Sequence, residues 1–197
     1  MTTDADQRFL VLRAQDGDVG AFEKLVDLHQ GRLFRIAYMV LRDRSDAEDV
    51  VQEALLTAWR RLHLLSDPDA FSGWVSTIAS RAAIDVTRRN ERRATDATTN
   101  DDIDLSHSSD SVGSSAGSGR EQSQDSADSA MVNAQMEALA GILQTLPPEQ
   151  RTCWVLREID GMSYREIAVI VDATESTVRG RIARARTQIV ERMKEWR

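Results

Sequence analysis

The stretch SYREIAVIVDATESTVRGRIARARTQI, residues Ser163–Ile189, decides the fold. Ser163 and Glu166 stand three apart, the spacing at which hydroxyl and carboxylate each satisfy a backbone N–H at a helix start. The short helix they open runs through Val171. Asp172-Ala-Thr174 interrupts it, and apolar residues resume at Val178, Ile182, Ala185 and Ile189. At about 100° per residue these four form one narrow stripe, which predicts a long helix from roughly Glu175 to Lys194 with that stripe in a core. Short helix, three-residue turn, longer helix is the helix-turn-helix pattern.

The opposite stripe of the long helix is Ser176, Gly180, Ala183 and Thr187, all small, with Arg179 and Arg186 on one shoulder and Arg181 and Arg184 on the other. Small residues permit close approach to a major groove, while arginines reach phosphates or guanine edges. An ordinary solvated face in an arginine-rich chain would carry the charges but has no reason to keep its outward stripe small. Working backward, a helix is expected from about Met131 to Thr145, stopped by Pro147-Pro148. A second is expected from Arg151 to Ile159, ended at Gly161.

Residues 1–93 are also helical in pattern. Phe22, Leu25, Val26, Leu33, Ile36, Ala37 and Val40 recur at three- and four-residue steps, across a Gly31 that weakens the helix without ending it. Ser45 and Glu48 repeat the capping spacing and predict the start of a helix with Ala47, Val50, Val51, Ala54, Leu55, Ala58, Trp59 and Leu62 on its apolar face. Asp67-Pro68 restarts the chain. Phe71, Trp74, Val75, Ile78, Ala79 and Ala82 then make a further amphipathic face, closed by Arg88-Arg89-Asn-Glu-Arg92-Arg93.

Between these parts, residues 94–130 are rich in Ser, Asp and Gly and hold almost no large apolar side chain. Such a segment buries too little surface to offset its ordering entropy and is expected to be a disordered acidic linker. The fold class is therefore all-α: a helical unit over 1–93, a linker over 94–130, and a helix-turn-helix unit over 131–197. This division explains the formal net charge of −7, which by itself argues against nucleic acid. Residues 1–93 carry 14 basic and 15 acidic side chains, the linker 1 and 8, and residues 131–197 carry 10 and 9. The excess acidity belongs to the linker.

Other features exclude whole classes. No run of 18 apolar residues predicts a membrane span, and the polar start, Met1 to Asp6, is neither a secretory signal nor a transit peptide. The single cysteine, Cys153, is expected to be a small buried hydrophobe. His29, His63 and His107 fall in no metal-ligand spacing, so no metal or cofactor is expected. Nor is there a nucleophile–base set or phosphate loop, so the chain does not read as an enzyme. A cytoplasmic location follows.

Two charged patches remain. Asp46 and Glu48 suit the positive end of a helix dipole, but Asp49 and Glu53 are like charges at i,i+4 and repel. No Lys or Arg lies within the next turn of that helix, which points to a basic protein partner. The four arginines of residues 88–93 read blandly as cations complementing a helix C-terminus. They also suit a single strand of nucleic acid, whose backbone they would neutralise. Trp74 is a core residue first and a stacking platform second.

These segments resemble, in order, the extracytoplasmic-function sigma factors of bacterial RNA polymerase. Asp46 to Trp59 is similar to their region 2.2, and Phe71 to Ala79 with Ile84-Asp85 and Arg88-Arg89 to regions 2.3 and 2.4. Leu146-Pro147, Arg151, Gly161 to Ala168 and Ser176 to Arg186 are similar to region 4. The resemblance implies that Asp49, Gln52 and Glu53 bind the basic coiled-coil of the polymerase's largest subunit. It implies that Trp74, with the loop from His63 to Ala70, helps open the −10 promoter element. Arg81, Asp85, Arg88 and Arg89 would lie on DNA there, and Ser176, Thr177, Arg179, Arg181 and Arg184 would read or clamp the −35 element. Arg81 stands where the family commonly has Asn, and Gly180 where serine is common. An anti-sigma factor is an implied partner, and the linker acids either imitate an RNA backbone inside the polymerase or serve as a solubilising spacer. The rival readings are a non-sigma helix-turn-helix regulator and a helical adaptor. A response regulator of the first kind would need a receiver with buried parallel strands, and residues 1–93 offer helices instead.

Overall fold

A computed structural model describes residues 4–99 and 137–194, all of it helix and connecting turn with no strand among the described residues. The helices are α1 (Asp4–Gln15), α2 (Val19–Leu41), α3 (Arg44–Arg61), α4 (Phe71–Thr99), α5 (137–144), α6 (Pro148–Glu158), α7 (Tyr164–Val171) and α8 (Glu175–Lys194). Residues 100–136 lie outside the described part, and with them most of the expected linker and the first residues of the helix expected from Met131.

The first unit is built on α2, which packs on α1, α3 and α4. Asp18 caps it by accepting from Ala21 N at 3.0 Å, and Gly31, with open space around it, does not break it. Arg42 ends it in the left-handed conformation (φ 62°), its N–H donating to Tyr38 O at 2.7 Å. The buried face is the predicted one: Phe22, Leu25, Leu33, Ile36, Ala37 and Val40. Phe71 and Val75 of α4 and Val50 and Ala54 of α3 close on it. Burying each large side chain contributes about 1.5–3 kcal/mol, and Phe71, the largest fully buried one, anchors the start of α4.

Three expected boundaries differ. Asp43, rather than Ser45, caps α3, its carboxylate accepting from Asp46 N at 2.8 Å. Helix α6 begins at Pro148, three residues before Arg151, because proline is favoured in a first turn that needs no donor. Helix α4 does not close on its arginines: it continues through Thr99. The dipole explanation for the cluster at 88–93 therefore fails, since that effect is confined to the last turn.

The second unit matches the expected pattern. Ser163 and Glu166 form the reciprocal capping box of α7. Gly161 (φ 79°) supplies the bend before it, and Asp172 (φ 53°) makes the turn before α8. Val178, Ile182, Ala185 and Ile189 are buried against α6 and α7, with Leu143, Cys153, Val155 and Ile167 around them. Burial pushes the Cys153 thiol up from its ordinary pKa, as befits an inert core residue.

The two units are not held apart. Helices α2 and α4 of the first pack against α6 and α7 of the second, and one contiguous cluster of buried residues spans both.

Candidate nucleic-acid and protein interfaces

Helix α8 presents the face the sequence describes. Thr174 caps it, accepting from Thr177 N at 3.2 Å, and its hydroxyl also meets the Ser176 and Thr177 hydroxyls at 2.9 Å. Ser176, Thr177, Ala183, Arg184 and Thr187 are exposed. A Cβ on Gly180 would meet nothing nearer than the Arg184 guanidinium, 3.9 Å away, so the notch there is open on the outward face. Arg179 bonds Glu175 at 3.0 Å and lies 5.1 Å from the centre of the Tyr164 ring, which steadies it beside that notch. Arg181 behaves differently. Its side chain is only 16% exposed and pairs with Glu149 at the start of α6. Arg186 also forms an ion pair with α6, to Glu158 at 2.6 Å, but stays exposed.

On the first unit, α3 and α4 flank an open groove. One wall carries Asp46, Asp49 and Glu53; the other carries Arg81, Asp85 and Arg89. Asp49, Gln52 and Glu53 are all exposed, and no hydrogen bond or ion pair among the described residues engages them. The search for counter-charge along α3 alone therefore missed the arginines that the fold sets across the groove. Arg93, from the cluster at 88–93, lines it as well, and so does Arg61, which no motif announced. The acids and their opposed cations are close enough to share a groove yet make no ion pair, so both rows remain available.

Trp74 is half-buried, packed on the core with its ring 6.0 Å from that of Phe71. It lines neither this groove nor the crevice described below. The loop before it is tied down by Gln15, whose Nε2 donates to Leu62 O at 3.0 Å and Leu65 O at 2.8 Å, and by an Arg8–Asp69 ion pair at 2.6 Å. Leu64, within the loop from His63 to Ala70, is a large apolar side chain left 66% exposed.

Arg88 points away from the groove. Its guanidinium donates to Val171 O at 3.3 Å, at the negative end of α7, and lines a crevice between the units together with Arg181 and Glu149. The structure thus gathers Arg81, Asp85 and Arg89 with the acidic row, leaves Ser176, Thr177, Arg179 and Arg184 on the outer face of α8, and turns Arg88 and Arg181 toward each other's unit.

Family models for Sigma-70 region 2 and Sigma-70, region 4 match residues 25–93 and 136–189. RNA polymerase sigma-H factor of Pseudomonas aeruginosa is 32% identical, covering 96% of this chain and 94% of that protein. ECF RNA polymerase sigma-E factor of Escherichia coli K12 is 33% identical over 96% and 95%. The chain belongs to the extracytoplasmic-function sigma factors. These are transcription initiation factors of bacterial RNA polymerase, and one matched region falls on each helical unit. Among solved structures, CnrH in complex with the cytosolic domain of CnrY superposes with a TM-score of 0.61, at 25% identity over 96% of this chain and 97% of that one. The sigma factor RpoE of Bartonella quintana, solved with the anti-sigma factor NepR, gives 0.59 at 23% identity over 89% and 98%, and shares the fold.

Proposed function

We propose that this sigma factor binds core polymerase through the acidic row of α3, holds melted −10 DNA along α4, and docks α8 on −35 duplex. The observation that supports the reading best is the Asp49–Gln52–Glu53 face: exposed, and carrying two repelling carboxylates one turn apart that no ion pair among the described residues engages, although arginines stand across the groove. A basic coiled-coil of the largest polymerase subunit meets that requirement.

No chemistry is performed on the DNA. Helix α8 lies with Ser176, Thr177 and Arg179 toward base edges and Arg184 toward phosphate, the notch at Gly180 allowing close approach. Arg81 and Arg89 neutralise the backbone of the opened strand, and Trp74 with the tip of its loop holds an unstacked base. Capture of each flipped and stacked base offsets part of the few kcal/mol needed to unstack it, so binding energy drives the melting. Arg81 in place of asparagine exchanges a two-way hydrogen-bonder for a fixed cation, which favours backbone contact over base discrimination there. Residues 1–93 and 131–197 act as separate readers joined by the acidic stretch. The site of action is the cytoplasm, where the chromosome is, and an anti-sigma factor is a further proposed partner.

Changing Asp49 and Glu53 together to Ala tests the assignment. Core association should fall at least tenfold in a pull-down or fluorescence titration, with far-ultraviolet circular dichroism unchanged. Binding at the wild-type level by the double variant would refute it.

A further inference from the structure

Helix α1 carries none of the proposed contacts with polymerase or DNA, yet it holds the loop from His63 to Ala70 at both ends. Its Arg8 and Gln15 are two helical turns apart and share one face with the buried Val11 between them. The two carbonyls that Gln15 reaches, of Leu62 and Leu65, bracket a single turn, which Leu65 N closes by donating to Leu62 O at 3.1 Å. The side chains of Leu62 and Leu65 are buried, whereas those of His63 and Leu64 between them are exposed. One amide therefore spans the base of the pair that projects. At the far end of the loop Asp67 Oδ1 accepts from Asp69 N at 3.0 Å, Pro68 is buried, and the Asp69 carboxylate meets Arg8.

The two anchors are unequal. Arg8 and Asp69 are both exposed, and such a pair contributes little in water. Gln15 is half-buried, and one nitrogen donates to both carbonyls. The loop does not need Gln15 to reach the core, because Leu62, Leu65 and Pro68 already pin it there. What the amide adds is direction. A turn held at both carbonyls meets its partner already ordered, so its conformational entropy is not lost at the moment of binding.

We infer that Gln15 is a positioning residue for the −10 element: its amide fixes the direction of His63 and Leu64, and with it the base preference of the loop. This rests on the assignment of that loop to −10 DNA. The role needs hydrogen-bond donation rather than bulk. Gln15→Met keeps the shape and removes the donor, whereas Gln15→Lys keeps a long side chain with donors for both carbonyls.

The test assembles the full chain with core polymerase and offers it fork-junction DNA randomised across the single-stranded −10 stretch, and the bound sequences are counted. The wild type should enrich one base at a position where His63→Ala combined with Leu64→Ala flattens the preference. Gln15→Met should lower enrichment at that same position by about threefold or more. Enrichment elsewhere, core association and helicity by circular dichroism should not change. Gln15→Lys should stay near the wild-type value. If the loop double variant lowers enrichment and Gln15→Met does not, the role of Gln15 fails alone. A fall spread evenly over all positions, or an equal fall with Gln15→Lys, overturns it too, since either marks lost packing rather than lost donation. No enrichment by the wild type, or full enrichment by the loop double variant, refutes the assignment of the loop itself and the role of Gln15 with it.

Discussion

Ser163 and Glu166 show how far one residue spacing can be trusted. Ser163 N donates to Glu166 Oε2 at 2.7 Å and Glu166 N to Ser163 Oγ at 3.2 Å, so two of the orphan donors of α7 are satisfied. Ser163→Ala should lower unfolding stability by about 1 kcal/mol, read from urea midpoints. Hydrogen bonding from the Ser163 side chain, then its backbone, holds the Glu166 carboxyl below its ordinary 4.5. A depressed carboxyl contributes stability above its ordinary pKa and loses it as the pH falls through the folded value. The gap between wild type and Ser163→Ala should therefore narrow below about pH 4.5. The same spacing at Ser45 and Glu48 misleads, because Asp43 is an equally good cap standing directly after the left-handed Arg42. Glu48 is instead drawn to Arg44 at 2.9 Å, one turn back. A capping motif is legible in sequence only when no second cap competes for the same turn.

Among the helices, α8 was the most legible, since both of its faces have a period that a one-dimensional sequence displays. Its buried stripe should be costly to cut: Ile182→Ala, at a side chain 1% exposed, should destabilise the fold by about 2–5 kcal/mol in chemical denaturation. Its outer arginines should differ from one another. Arg184→Ala should weaken −35 binding uniformly across sequences and reduce the slope of log K against log salt by about 1. Arg181→Ala should also release Glu149 from its ion pair, so its effect on binding should depend on whether Glu149 is removed as well. That pairing joins positions 32 apart and has no period. Helix α4 was read well along its apolar face and poorly at its end. Nothing in Arg88 to Arg93 says whether a helix stops there, and the charged turns beyond carry no apolar period to follow. The groove between α3 and α4 was half-legible for the same reason: the acidic row follows from spacing on one helix, the opposing arginines only from packing.

At the scale of the whole molecule, the composition describes two near-neutral helical units, and the closed packing of one on the other has no trace in either unit's pattern. A shared apolar cluster makes it, bridged by polar contacts such as those of Arg32 and Ser76 with Asp160, residues far apart in the chain. Their meeting places two groups proposed for different promoter elements in one crevice. Near-neutral units should bind promoters weakly alone, because a protein that neutralises few phosphates gains little from counterion release. Most of the affinity and all of the element spacing must then come from polymerase. The central claim is that this chain directs core polymerase to start at promoters. Its most direct test is run-off transcription by purified core enzyme on genomic DNA, with and without the protein, followed by sequencing of transcript 5′ ends. The account predicts discrete start sites that appear only with the wild-type chain and vanish with the Asp49/Glu53 double variant. Start sites identical to those of core enzyme alone would contradict it.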